Sequence, residues 1–352
     1  MRPADEDGLM SLDFLAGFTI FMLALVMVVS MVPGLLAGLE SSGIDYDAVA
    51  YRTGVILVED PGWPVYPPWE MNDEFHKDEI QRMGLAVSKE TPNILLSTKV
   101  DKFFNYSFFD RNDYRNKAIF GDIPYSYNFS IRSEDGVYNK TTGDPLPLGH
   151  GYIRRVVKIK EPGVANIGYN SAYTTTDDSD PRTFAVRLNF SQLLDPERGP
   201  AYRIDPRTEP VTVNIDFASY CTDGDAGATL QNVTFWKMDP TRPNPRFTRI
   251  PFSYDETNSN LYTLTLDDSP SDLVPGTPVT RSISLVLKPA ATSQFTLDQN
   301  SILEIRFAFE EAPEGEEPGP VIRTEINGTY LYDYTNVTLP DLKPGVLEVA
   351  IW

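Results

Sequence analysis

From Phe14 to Val32 the chain reads FLAGFTIFMLALVMVVSMV, nineteen residues without a charge, and the next charged residue is Glu40. About 20 apolar residues are enough to cross a hydrocarbon core of ~30 Å. The run is apolar on every side instead of along one stripe, which separates it from a surface helix of a soluble domain. It therefore predicts a membrane-spanning helix. Pro33-Gly34 should interrupt it, after which a helical pattern resumes up to Asp60-Pro61-Gly62, with Ala48, Tyr51, Val55 and Val58 as its apolar stripe. A spine over 9–60 with a break at Pro33 would be about 75 Å long at ~1.5 Å per residue.

The pattern then changes twice. Residues 61–105 begin with a Trp- and Pro-rich loop and continue with two expected short helices, 73–87 and 97–104, with Phe75, Ile80, Met83 and Leu85 as apolar face. From 106 to 352 the chain alternates apolar and polar residues in short runs bounded by Pro, Gly, Asp and Asn. YIRRVVKIK, TFAVRLNF, VTVNIDFAS, LQNVTFWKM, LYTLTLD, RSISLVLK, ILEIRFAFE, TYLYDYT and VLEVAIW are strand candidates. The predicted fold class is α+β: a long N-terminal hydrophobic helix, short helices, and a C-terminal antiparallel β-sandwich, Ig-like or jelly-roll-like. A further boundary is expected near 197–210.

Charge and composition narrow the chemistry. Thirty Lys+Arg against 50 Asp+Glu give a net charge of −20, which repels phosphate and argues against nucleic acid as a partner. One cysteine, Cys221, excludes an intrachain disulfide and multi-thiolate zinc. His76 and His150 are the two histidines, too few for a His-rich metal centre. GxSxG, HExxH and phosphate-binding glycine loops are absent. The chain is read as a non-enzyme without a cofactor; a third and much weaker reading is a membrane-tethered carbohydrate-active enzyme using a carboxylate pair of glycosidase type among its fifty acids.

Ahead of the apolar run stand Gly8-Leu9-Met10-Ser11-Leu12-Asp13-Phe14. This stretch resembles the class III signal peptide of archaeal type IV pilin-like surface proteins, in which a prepilin peptidase cuts after a glycine preceding the hydrophobic segment. The mature chain there begins with a Gln-x-Ser-x-Glu pattern. Ser11 matches the serine, Asp13 stands for the glutamate, Leu9 stands where glutamine is usual, and acidic Glu6-Asp7 stand where a basic residue precedes the glycine. The resemblance implies a signal peptide of residues 1–8 and cleavage between Gly8 and Leu9. It also implies assembly roles for Ser11 and Asp13, with membrane lipid, a prepilin peptidase and other pilin-like subunits as partners. AYRTGVILVEDPGWP and RMGLAVSKETPNILLSTKVDKFFN likewise resemble the segment after the anchor in uncharacterised archaeal pilin-like proteins. A carboxylate at the edge of a lipid-facing helix costs up to about 2.5–3.5 kcal/mol when drawn to the membrane centre. Asp13 would offset this by pairing with the new α-amino group of Leu9 in a neighbouring subunit, or would sit as an ordinary helix N-terminal acid.

Seven Asn-x-Ser/Thr sequons follow the apolar helix, at Asn105, Asn128, Asn139, Asn189, Asn232, Asn327 and Asn336, more than chance supplies. Read as glycosylation acceptors they put the β-rich part outside the cell; the alternative is that Asn, Ser and Thr are there as turn and strand formers. Acidic groups at Asp177-Asp178-Ser179-Asp180, Asp223-Gly224-Asp225 and Asp267-Asp268 with Asp272 read as solvated turns before they read as Ca²⁺ loops. The expectation is an archaeal pilin-like subunit of a cell-surface filament, minor or at the tip, with a glycosylated adhesive head whose target the sequence does not name. Its rival is a permanently anchored surface adhesin or receptor that never polymerises.

Overall fold

The computed structural model describes residues 12–40, 45–121, 123–168, 170–171, 174–175, 183–216, 218, 228–251, 261–270, 277–309, 327–337 and 340–352, with side chains of the first helix described from 14 to 31. Helix α1 is Leu12–Glu40 and α2 is Tyr46–Glu59. α1 continues through Pro33-Gly34 without the expected interruption. A proline removes one backbone donor, and a helix tolerates that locally. α2 starts behind Asp45, whose carboxylate caps it by accepting from the Ala48 N–H at 3.0 Å.

The strands come in chain order as β1 (Ile94–Leu96), β2 (Tyr127–Ser133), β3 (Asn139–Gly143), β4 (Gly151–Lys160), β5 (Val164–Ile167), β6 (Thr174–Thr175), β7 (Thr183–Asn189) and β8 (Val211–Asp216). They continue as β9 (Ala228–Met238), β10 (Thr248–Arg249), β11 (Tyr262–Leu266), β12 (Ser269–Pro270), β13 (Thr277–Val279), β14 (Ser282–Leu287), β15 (Ile302–Phe309), β16 (Gly328–Tyr332) and β17 (Leu342–Ile351). Every strand candidate read from alternation coincides with one of these. The first sheet has the order β1-β4-β17-β2-β3, the second β10-β9-β15-β7-β16-β6 with β13 on β9, and the third β12-β11-β14-β8-β5. The sheets are mixed and not purely antiparallel: β1 with β4, β5 with β8 and β16 with β7 run parallel.

Two hydrophobic cores result, and they divide the chain otherwise than at residue 106. The basal core joins α2, the 61–119 region and the first sheet, including Leu347, Val349 and Ile351 from the last strand. The outer core fills the space between the second and third sheets and draws on residues 165 to 337. β17 pairs antiparallel with β4 from Lys160↔Leu342 to Gly151↔Ile351. The whole outer unit is thus inserted between two neighbouring strands of the basal sheet, an arrangement that works because a domain's ends commonly lie close together at its surface.

α2 lies on this sheet through Ala50, Thr53, Gly54, Leu57 and Val58. Gly54 permits the approach, since a Cβ there would stand 2.9 Å from Ile153 Cγ2. The stripe expected from spacing splits: Val58 is buried, while Ala48 and Tyr51 face outward. The helix expected at 73–87 does not form; only a 3₁₀ turn, Lys77–Glu79, is present, and Phe75 is exposed. Ile80, Met83 and Leu85 are nonetheless buried, on irregular chain running beside the end of α2. A Cβ on Gly84 would overlap the Asp60 carbonyl oxygen, so the chain passes too close there for a helix. The second expected helix is Ser97–Phe103.

Candidate functional site

α1 is the most conspicuous candidate. Phe14–Met31 has a mean hydropathy of 2.5, and none of it is buried within the protein. Phe14, Leu23, Val26 and Met27 are each more than half exposed. A core helix of a soluble domain would be covered. This one presents exposed apolar side chains throughout Phe14–Met31.

Of the residues expected at the cleavage and assembly site, Gly8, Leu9 and Ser11 lie outside the described residues. Asp13 is the second residue of α1, with its side chain outside the description. The seven sequon asparagines are all among the described residues. Asn105, Asn139 and Asn232 are exposed; Asn128, Asn189, Asn327 and Asn336 are partly covered. Asn128 donates from its amide to the Asp144 carbonyl at 2.8 Å and Asn336 to the Leu331 carbonyl at 3.0 Å. Asn105 and Asn139 belong to the basal unit, while the other four outside β2 belong to the outer unit.

The remaining polar candidates have structural occupations. Asp267 accepts from the backbone N–H groups of Thr280, Arg281 and Ser282. Partial burial pushes its carboxyl up, but these N–H donors outweigh it and hold the group below the usual carboxylate range. His76 is exposed and bonds Asp73 at 2.7 Å, which raises its pKa. His150 bonds the Pro147 carbonyl at 3.1 Å and stands edge-on to Tyr152 and Trp352. Cys221, Asp177, Asp178, Asp180, Asp223, Asp225 and Asp272 lie outside the described residues. Among the described residues no group of three or more His, Cys, Asp or Glu is placed to hold a metal.

Several buried charges gave no signal in the sequence. Lys160 and Glu209 are both fully buried, with Lys160 Nζ 2.7 Å from Glu209 Oε1 and 2.6 Å from the Arg203 carbonyl. They lie where the two cores meet. Glu209 also lines a cleft of about 490 Å³ with Tyr66, Glu90, Arg203 and Arg207. Two ion pairs lie along the cleft, Arg207 with Asp205 and Arg203 with Glu90, while Glu209 Oε2 is buried without a hydrogen-bond partner. In the basal core, Lys99 Nζ donates to the carbonyls of Pro61 (2.8 Å) and Ala86 (2.9 Å), and Trp69 Nε1 to those of Pro61 and Gly84. These bonds pin the end of α2 to the segment below it.

The fold and the candidate site define a β-rich α+β protein with one N-terminal helix long and apolar enough to span a membrane. An uncharacterized protein of Archaeoglobus fulgidus is 38% identical over 151 residues, covering 41% of this chain and 79% of the relative. The chain belongs to the family of that protein. The relative is little more than half as long as this chain. No family model matches the chain, and no solved structure does.

Proposed function

We propose that the chain is a pilin-like subunit of a cell-surface filament, minor or at the tip, whose α1 anchors it in the membrane and then packs among the helices of other subunits. The single observation that carries this reading is the uncovered apolar surface of α1 from Phe14 to Met31. At about 25 cal/mol per Å² of apolar surface, a helix of this size in water is strongly unfavourable, and lipid or sister helices remove the cost. The Gly8-Leu9 junction, Ser11 and Asp13 then act at processing and assembly, the Leu9 α-amino group of one subunit meeting the Asp13 carboxylate of the next. α2, held on the basal sheet, carries the load from the anchor into the body.

The outer unit, an Ig-like or jelly-roll-like sandwich on this reading, faces outward and carries four of the seven sequons. Between residues 164 and 339 the chain has 13 Lys+Arg against 25 Asp+Glu, so this unit holds most of the negative charge and stays solvated. An insertion this large on one side of a basal sheet fits poorly at every repeat of a tightly packed filament, which supports a minor or tip position.

The mass of the native N-terminus tests the proposal. A chain beginning at Leu9 is the expected result. A chain that keeps residues 1–8 in the mature protein overturns polymerisation and leaves a permanently anchored adhesin.

A further inference from the structure

The outer unit spreads its sequons unevenly. Asn189 and Asn232 lie on β7 and β9, Asn327 directly precedes β16 and Asn336 closely follows it, all in the second sheet or its connections. The strands of the third sheet carry none. Their alternation sends Ile167, Ile215, Leu264 and Ile283 inward to the core and leaves Asn166, Asn214, Ser284 and Thr265 on the opposite face. These four occupy one register row across β5, β8, β14 and β11. At ~4.8 Å between strands the row is about 14 Å long.

The row is already wired in one direction. Ser284 Oγ donates to Asn214 Oδ1 at 2.7 Å, and Asn214 Nδ2 donates to Asn166 Oδ1 at 3.1 Å. That chain fixes the amide orientations and leaves the Asn166 NH₂ and the second Asn214 N–H outside it; Asn166 is exposed, and Asn214 and Thr265 are half-buried. An open groove of about 740 Å³ runs over the row, with the Asp216 and Asp268 carboxylates at one side.

We propose that this groove binds a neutral carbohydrate chain laid across the strands. Amides and hydroxyls in a row, with the Asp268 carboxylate beside them as an acceptor for a hydroxyl donor, match a ligand that is dense in O–H groups and uncharged. The described lining residues include no Lys or Arg, and a surrounding unit with 25 acids against 13 bases repels anionic ligands. The same repulsion disfavours the acidic outer unit of a second copy. Among the described lining residues two carboxylates are too few for a metal site, and the three isoleucines that border the groove, Ile167, Ile215 and Ile283, are at most 1% exposed and give an apolar ligand little to sit on. The sequon part of the argument rests on the surface reading above; the lining does not.

The test is calorimetric titration of the full chain in detergent micelles with neutral oligosaccharides of the glucose, mannose, galactose and N-acetylglucosamine series. Saturable binding of at least one series is expected. Asn214→Ala should weaken it by about tenfold, Ser284→Arg should abolish it by filling the row, and Asn232→Gln on the other sheet should leave it unchanged. Circular dichroism melts establish that the variants fold. Absence of binding by every series overturns the proposal, as does full-strength binding by both groove variants or tighter binding of heparin than of any neutral chain. Binding in micelles needs neither cleavage nor assembly, so its outcome is separate from that of the N-terminal mass.

Discussion

Lys160 Nζ stands 2.7 Å from Glu209 Oε1, and neither side chain reaches solvent. Lys160 ends β4 of the basal sheet, and Glu209 lies just before β8 of the outer unit, so this ion pair bridges the two cores. Burial pushes the Glu209 carboxyl up, against the opposing pull of Lys160. Removing one partner leaves an uncompensated buried charge, which typically costs about 3–5 kcal/mol, whereas replacing both with apolar residues of similar size is close to neutral. Lys160→Met should therefore lower the denaturation midpoint sharply, and Lys160→Met with Glu209→Leu should recover most of the loss. Equal damage from the single and double variants in a denaturation series counts against a role for the pair's charge.

Glu70 sets a pH dependence. It is buried, neither carboxylate oxygen has a hydrogen-bond partner, and burial pushes its pKa up to about 7 against the pull of Lys99 and Lys102. In the unfolded chain it titrates near 4.5. Between these values the folded state holds a proton that the unfolded state has lost, so this group makes stability fall as pH rises from about 4.5 to about 7, with the penalty in full above that. At ~1.4 kcal/mol per pKa unit the penalty is of the order of 3 kcal/mol. Glu70→Gln should raise stability at pH 8 and leave it nearly unchanged at pH 4, as read by melts across pH; an unchanged slope in the variant assigns the pH dependence elsewhere.

Leu23 sits near the middle of the apolar span. An arginine there costs about 2.5–3.5 kcal/mol of insertion free energy. Leu23→Arg should shift the chain out of the membrane fraction in cell fractionation, while Tyr51→Arg on the outward face of α2 should not. Identical partition of the two variants would separate the apolar run from membrane retention.

Sequon occupancy should follow side-chain access. Asn105, Asn139 and Asn232 are exposed, whereas Asn128 and Asn336 already spend an amide N–H on a backbone carbonyl. Glycopeptide mass spectrometry should find the first three modified more fully than the last two. The reverse order would mean that folding does not precede modification.

How far these features were legible follows from what each depends on. The apolar run and the strands of the outer unit are set by local alternation, which a sequence displays directly. The junction between 73 and 96 is not local: the burial of Met83 and Leu85 beside Asp60, and the close passage of Gly84, come from the end of α2 some twenty residues earlier. The return of β17 to the middle of the first sheet pairs residues as far apart as Lys160 with Leu342 and Gly151 with Ile351 and leaves no periodic trace. Lys99, Lys160, Glu70 and Glu209 read as surface charges because charged residues are rarely buried unless tied to partners, and those partners are distant in sequence. Sequons are legible by motif, but their crowding onto the second sheet of the outer unit is visible only in three dimensions.

Protease treatment of intact cells, followed by mass analysis of what remains in the membrane, bears most directly on the central claim that α1 holds a β-rich body outside the cell. The account predicts that the body is degraded from outside while a fragment spanning Phe14–Met31 stays with the membrane. A full-length chain that is protected from the protease and recovered as a soluble monomer without detergent would contradict it.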